Sequence, residues 1–186
     1  MTTVTRSALD HATDELLADR AADGDPKAFA ILARRYRRLL QAYATRILGS
    51  NLDSDDVVQN TLVTAWQQLP SLRDRARLRP WLLQITARNA LDVIASRKTH
   101  DDLDDVDIPD TAAGPAQQAG LRSAQQALGQ HLAGLPSQQR QVWVLRELGG
   151  HSYDEIGAAM QLPTSTVRGL LARARTRLIR DMDEWR

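Results

Sequence analysis

A run of aspartates near the middle of the chain constrains the fold more than any other feature. Residues 99–118 hold six aspartates together with Pro109, Gly114 and Pro115, and few apolar residues lie among them. Such a segment cannot bury enough apolar surface to form a core. It therefore predicts a flexible acidic linker over 99–118 that divides the 186 residues into two small domains, 12–98 and 119–186.

Both flanking blocks have the apolar spacing of helices. In the first block, apolar residues recur at three- and four-residue steps: Phe29, Leu32, Tyr36, Leu39, Leu40, Tyr43 and Ile47. Asp25-Pro26 is a typical helix start and Gly49 a typical helix end. No useful length of chain alternates at period two, and aromatic residues make up only 4%. The sequence therefore predicts an all-α fold.

The second domain carries the spacing of a helix-turn-helix. Ser152 and Glu155 have capping-box spacing and begin a short helix, which residues 161–163 (QLP) interrupt. Thr164 is placed to cap a second helix that runs to about Met182. One face of that helix is an apolar stripe: Val167, Leu171, Ala174 and Leu178. The opposite face is rich in arginine, which favours a helix lying in the major groove of DNA over an ordinary helical hairpin with solvated arginines.

The charge distribution also points to a polyanionic partner. Residues 15–98 contain 14 basic and 9 acidic residues, whereas residues 126–186 contain 8 basic and 6 acidic ones. Lys27 and Lys98 are the only lysines, so arginine supplies nearly all the positive charge, in the planar form that suits phosphate and guanine. Ordinary solvated helix faces remain the alternative explanation of this charge pattern.

Several classes of protein are disfavoured by the composition. The chain has no cysteine, and its four histidines are scattered without metal-ligand spacing to carboxylates. It shows no glycine-rich phosphate loop and no nucleophile elbow. No uncharged apolar stretch is long enough to span a bilayer, and acidic residues interrupt the N-terminal segment where a signal peptide would be apolar. We therefore expect a cytoplasmic protein that is not an enzyme and takes neither metal nor cofactor.

The ordered motifs resemble those of the sigma factors of bacterial RNA polymerase, in particular the extracytoplasmic-function (ECF) type of the sigma-70 superfamily. In the second domain the matching segments are 135–140 (LPSQQR), 145–150 (LRELGG), 152–156 (SYDEI), 163–167 (PTSTV) and 172–175 (ARAR). In the first domain they are 28–36 (AFAILARRY), 53–60 (DSDDVVQN), 64–66 (TAW) and 81–85 (WLLQI). The resemblance implies a protein that binds core polymerase and directs it to promoters.

The same resemblance assigns roles to residues. The −35 element of the promoter would be read by the second helix of the helix-turn-helix, through Thr164, Ser165, Thr166, Arg168, Gly169, Ala172, Arg173 and Arg175. The −10 element would be met by Arg75, Arg77, Arg79, Trp81, Arg88 and Asn89. The clamp helices of the largest polymerase subunit would be gripped by Asp56, Gln59 and Asn60. Members of the family are often held by an anti-sigma factor, so such an inhibitor is also among the implied partners.

Two departures from the family pattern affect these roles. The family usually has Asn seven residues after the Trp, whereas here that position is Arg88 and Asn89 follows it. One residue turns a helical side chain by about 100°, so the sequence leaves open which of the two faces the DNA. Where the family commonly has Ser-Arg, this chain has Gly169-Leu170, so promoter preference is expected to differ from that of typical relatives.

Other functions and roles remain open at this point. An autonomous DNA-binding regulator would explain the second domain but not the helix carrying Asp56, Gln59 and Asn60. The acidic linker either threads through the polymerase near its active-site cleft, as the resemblance implies, or is a solvated spacer between the domains.

Overall fold

A computed structural model describes residues 9–101 and 128–183. All the regular secondary structure within these two ranges is helical. The first half forms α1 (Asp14–Ala22), α2 (Pro26–Leu48), α3 (Ser54–Gln68) and α4 (Leu78–Asp101). Two short 3-10 turns, Leu69–Ser71 and Arg75–Arg77, connect α3 to α4. The expected all-α class is confirmed for the described residues.

Local side chains cap two helices of the first half, and α2 begins and ends at the residues that the sequence marks. Thr13 caps α1, with its hydroxyl oxygen accepting from the amide of Leu16. Asp25 caps α2 by accepting from the amides of Lys27 and Ala28, and Pro26 is the first helical residue. Gly49 ends α2 in the left-handed conformation at φ 83°. Local sequence therefore accounts for the length of α2, the central helix of this half.

The core of the first half lies where α2 meets the other three helices. Helix α2 packs against α1, α3 and α4, and α3 packs against α4. The fully buried side chains at this junction are mostly aliphatic: Leu17, Leu40, Ile47, Val57, Val58 and Leu69. Burial of such a side chain contributes roughly 1.5–3 kcal/mol, so this junction fixes how α3 and α4 are presented.

The second half consists of a helical segment over 128–133, α5 (Ser137–Trp143), α6 (Tyr153–Met160) and α7 (Thr164–Asp183). A π-helical turn, Val144–Leu148, extends α5. The predicted capping box begins α6: Ser152 accepts from the amide of Glu155 at 3.2 Å, and Glu155 accepts from the amide of Ser152 at 2.7 Å. Helix α7 packs on both α5 and α6. The predicted helix-turn-helix is thus present as α6 and α7.

The fourth helix is longer than the sequence suggests. Its periodicity weakens near Ser96, but α4 continues to Asp101 and so includes the first three residues of the acidic segment. Residues 102–118 of that segment lie outside the described part of the chain.

The two halves are in contact. Helix α2 packs against α5 and the π-helical turn, and α4 approaches α6. Buried residues of both halves, from Leu40 and Ile47 to Val142 and Leu145, belong to one continuous apolar cluster.

Candidate polymerase and DNA interfaces

The residues predicted to read the −35 element lie along the outer side of α7. Its inner side is buried and includes Leu170 in addition to the predicted stripe: Val167, Leu170, Leu171, Ala174 and Leu178. Leu170, the second residue of the Gly169-Leu170 departure, is therefore a core residue. Among the predicted contacts, Ser165, Arg168, Ala172, Arg173 and Arg175 are exposed, and Thr164, Thr166 and Gly169 are partly so. The structure thus brings the predicted set together on one surface of α7.

An aromatic ring supports one of these arginines. The guanidinium carbon of Arg168 lies 5.3 Å from the ring centroid of Tyr153, and that of Arg146 lies 4.8 Å from it. Arg146 also donates to the carbonyl of His151 at 2.8 Å. The predicted set of contacts omits Tyr153 and Arg146. A tyrosine at the first position of α6, the helix that precedes the arginine-rich α7, is the signal that points to them.

A carboxylate supports a second arginine. Glu147 accepts from Nη2 of Arg175 at 2.5 Å and from its Nε at 3.2 Å. This bond to Glu147 raises the pKa of Arg175. Because Arg175 is half exposed, the pair orders the side chain more than it stabilises the domain.

Thr164 plays a different part from the one expected. It is the first residue of α7, and its hydroxyl donates to Oδ1 of Asp154 at 2.9 Å. Thr164 therefore does not cap α7 as expected from the sequence. Its side chain instead links the two helices of the motif. The turn itself is close-packed, because a Cβ at Gly157 would lie 2.8 Å from the carbonyl oxygen of Leu162.

The residues predicted to meet the −10 element divide into two groups. Arg77, Arg79 and Arg88 are exposed, and Trp81 is partly exposed at the start of α4. Arg75 points inward: its Nε donates to Asp19 at 2.9 Å, and its Nη1 donates to the carbonyls of Leu69 and Leu72. With 19% of its side chain exposed, Arg75 fixes the loop onto α1.

Arg88 and Asn89 also differ in this respect: one side chain is exposed and the other is bonded inside the domain. The side-chain amide of Asn89 donates to the hydroxyl of Thr61 at 3.2 Å, and Thr61 in turn donates to the carbonyl of Val57 at 2.7 Å. Thr61 is fully buried. Asn89 therefore joins α4 to α3 inside the domain, and Arg88 is the residue of the two that stands exposed.

The predicted polymerase contacts lie on the outer face of α3. Asp56, Gln59 and Asn60 are all exposed. Beside them runs a groove of about 450 Å³ between α2 and α3, lined by Phe29, Arg37, Asp55, Val58, Gln59, Leu62, Val63 and Trp66. Phe29 and Trp66 meet edge to face with 5.1 Å between ring centroids. Val63 is 51% exposed and Trp66 37%, so an apolar surface that the sequence prediction omits adjoins the polar residues.

The described residues contain no group of three histidines, aspartates or glutamates that could hold a metal ion. Within the same two ranges, none of the helices has both the length and the apolar character needed to cross a membrane.

Comparisons with known proteins place both halves in one family. Residues 32–100 match the family model for sigma-70 region 2, and residues 125–178 match the one for sigma-70 region 4. The ECF RNA polymerase sigma-E factor of Escherichia coli K12 is 33% identical over 174 residues, which cover 88% of this chain and 91% of that protein. The sigma factor NccH of Alcaligenes xylosoxydans is 32% identical over 176 residues, or 91% of this chain and 94% of that one.

Two solved structures are similar as well. The complex of CnrH with the cytosolic domain of CnrY matches with a TM-score of 0.53 and 30% identity, over 92% of this chain and 97% of that one. The sigma factor RpoE bound to the anti-sigma factor NepR, from Bartonella quintana, matches with a TM-score of 0.56 and 28% identity, over 76% and 88%. This chain therefore belongs to the ECF sigma factors of the sigma-70 family, which bind core RNA polymerase and direct it to promoters.

Proposed function

We propose that this sigma factor reads its promoter at two places with the residues placed above. Helix α7 would enter the major groove of the −35 element, and the loop before α4 with the first turns of that helix would meet the −10 element. The observation that carries the proposal is the exposed side of α7, where Ser165, Arg168 and Arg173 stand opposite a fully buried stripe. Such a helix can reach base edges and phosphates at once.

The −10 contacts in this proposal are the exposed ones. Arg77 and Arg79 would lie along phosphates, Trp81 would offer a ring to an unstacked base, and Arg88 would reach a base edge. Arg75 and Asn89 would hold the loop and α4 in position, since both side chains are bonded inside the domain. Arginine in place of the family's usual asparagine favours guanine, because it can donate to O6 and N7 together.

Polymerase binding would use the outer face of α3. Asp56, Gln59 and Asn60 offer carboxylate and amide groups to a basic partner helix, and Val63 and Trp66 beside them offer apolar surface. Polar groups around an apolar centre are typical of a protein interface.

The test is run-off transcription with core polymerase on a library of genomic fragments. Wild-type chain should confer selective start sites, whereas the double variant Gln59→Ala, Asn60→Ala should lose assembly with core enzyme and keep its helicity. Gln67→Ala, also exposed on α3, is the matched control and should assemble normally. Normal assembly of the double variant would contradict the proposed surface.

We further propose that the chain works in the cytoplasm, where polymerase and promoter DNA are, and that it acts by binding rather than by catalysis. We also propose the division into domains 12–98 and 119–186, since the family models for regions 2 and 4 match on either side of the acidic segment.

An anti-sigma partner is proposed by likeness to CnrH and RpoE, which were solved in complexes with CnrY and NepR. A candidate inhibitor added before core polymerase should suppress run-off transcription by this chain. Undiminished transcription with saturating inhibitor would exclude that candidate.

A further inference from the structure

The loop that connects α3 to α4 closes around one arginine. This connecting loop, residues 69–77, consists of the two 3-10 turns, Leu69–Ser71 and Arg75–Arg77, and the residues between them. Nη1 of Arg75, in the second turn, donates to the carbonyl of Leu69 in the first turn at 2.8 Å and also to the carbonyl of Leu72. The guanidinium therefore ties one turn to the other.

The middle of the connecting loop lies in solvent. Buried leucines anchor its two ends, Leu69 within the first turn and Leu78 directly after the second. Between these ends Arg73, Asp74 and Arg77 are exposed. The exposed middle is therefore held through Arg75, whose side chain is 19% exposed.

A carboxylate of α1 holds this arginine from outside the loop. Oδ1 of Asp19 accepts from Nε of Arg75 at 2.9 Å, and α1 packs on both 3-10 turns. Helix α1 is itself attached to α2, because Asp14 accepts from Nη1 of Arg35 and from the hydroxyl of Tyr36, both at 2.6 Å. Asp19 therefore connects the loop to a helix whose position is fixed.

The chemistry of the guanidinium explains what Asp19 adds. The carbonyls of the loop carry only partial charge, whereas Asp19 supplies a full negative charge and a charge-assisted bond at Nε that orients the guanidinium plane. Because 63% of the Asp19 side chain is exposed, the pair should contribute little to the stability of the whole domain. Its main effect is on the order of the loop.

We propose that Asp19 is a positioning residue for promoter recognition. By holding Arg75, it keeps the connecting loop in the conformation that presents Arg77 and Arg79 to the −10 element. A loop that is ordered before DNA arrives does not have to be ordered during binding, so affinity is higher. The inference rests on the proposed −10 role of this loop, and it adds α1 to the elements that determine −10 affinity.

The direction of one change in affinity tests the proposal. Asp19→Ala removes a negative charge near a polyanion, so charge alone would strengthen DNA binding. Loss of positioning should instead weaken it, by about twofold to tenfold, the cost of ordering one long side chain. The measurement is fluorescence anisotropy with the chain bound to core polymerase and a labelled single strand carrying the −10 sequence of a promoter that wild type selects. Unchanged or tighter binding by Asp19→Ala would overturn the proposal.

Glu15→Ala is the matched control. Glu15 is exposed on α1, one helical turn before Asp19, and its removal changes the net charge by the same amount. This variant should bind the single strand as wild type does, or slightly more tightly. An equal loss in Glu15→Ala would show a general effect of α1 and would also overturn the role of Asp19.

Variants of Arg75 show whether the effect passes through this residue. Arg75→Lys keeps the positive charge but cannot donate to Asp19 and to both carbonyls from one planar group. It should therefore weaken −10 binding as much as Asp19→Ala does, and Asp19→Ala should cause no further loss in the Arg75→Lys background. Full binding by Arg75→Lys would indicate a direct phosphate contact instead, and either that result or a further loss in the double variant would contradict positioning.

Hydrogen exchange measures the order of the loop without DNA. In Asp19→Ala, peptides covering residues 69–77 should exchange faster than in wild type, while peptides from α2 and binding to a −35 duplex should be unchanged. Unaltered exchange in the loop would count against the proposal. Failure of the proposed function would appear separately, as loss of selective run-off transcription by the wild-type chain.

Discussion

At the scale of single residues, the arginines that we propose to contact DNA are held in place by neighbouring side chains. These neighbours need not contact DNA themselves. Tyr153 lies against the guanidinium groups of Arg146 and Arg168, and Glu147 holds Arg175. An exposed arginine loses rotamer freedom when it binds DNA, so a neighbour that orders it beforehand lowers that cost.

Tyr153→Leu should therefore weaken binding to a −35 duplex by about twofold to fivefold, the value of one exposed cation–π contact of roughly 0.5–1 kcal/mol. Tyr153→Phe keeps the ring and should bind as wild type. Fluorescence anisotropy with a labelled duplex measures both. In an Arg168→Ala background the Tyr153→Leu change should have no further effect. An equal loss in Tyr153→Phe would mean that the hydroxyl itself contacts the DNA.

Arg173 is the exposed arginine of α7 that we expect to read a base. Arg173→Ala should weaken binding by roughly 1–3 kcal/mol and relax specificity at one position of the −35 element. Arg180→Ala, also exposed but near the end of α7, is the control and should reduce affinity uniformly or not at all. Titration of single-base variants of the duplex separates the two cases. Unchanged discrimination in Arg173→Ala would contradict the base contact.

At the scale of elements, two glycines of the helix-turn-helix differ in the space that surrounds them. Gly169 lies within α7, where an added Cβ would meet only the Arg173 side chain, at 3.5 Å. Gly157 lies within α6, where an added Cβ would be 2.8 Å from the carbonyl of Leu162. The first position tolerates a methyl group and the second does not.

Gly169→Ala should raise the free energy of unfolding by up to about 1 kcal/mol, because alanine favours the helix. Gly157→Ala gains the same propensity but forces the turn apart, so it should be destabilising. Thermal unfolding followed by circular dichroism compares them. If Gly169→Ala also weakens −35 binding, the glycine is there for close approach of DNA to the α7 backbone.

Local sequence is most informative about where individual helices begin. The caps at Asp25 and Ser152 depend on side chains reaching amides two or three residues away, so spacing alone predicts them. Arg140, which is buried, could not be predicted in this way. It stands in the LPSQQR motif as one polar residue among several, and its burial depends on Leu48, which is 92 positions away.

The same limit applies to the candidate site. The arginines of α7 follow from its helical period, and the structure presents Arg168, Arg173 and Arg175 on the outer side. Arg75 and Arg77 are two residues apart in an alternating run, yet Arg75 is bonded to Asp19 of α1 while Arg77 is exposed. Which member of such a run faces inward depends on a contact 56 positions away. The spacing of residues within the loop therefore gives no information about that contact.

At the scale of the whole molecule, the two halves share apolar surface and a buried cation. The side chain of His151 lines the cleft between them, together with Arg88 and Asp92 of α4 and Glu155 of α6. Burial lowers the pKa of His151 below its ordinary value near 6.5, and the nearby Glu155 carboxylate offsets part of that shift. The folded chain therefore favours the neutral ring.

This preference gives stability a defined dependence on pH. In the unfolded chain His151 titrates at its ordinary value, so as the pH falls through about 6.5 the unfolded chain takes up a proton before the folded one. The free energy of unfolding should therefore fall between about pH 7.5 and pH 5.5. Urea unfolding across this range, with wild type and His151→Gln side by side, measures the contribution. The fall should be larger in wild type, since glutamine does not titrate, and equal slopes would show that the ring is as well hydrated in the folded chain as in the unfolded one.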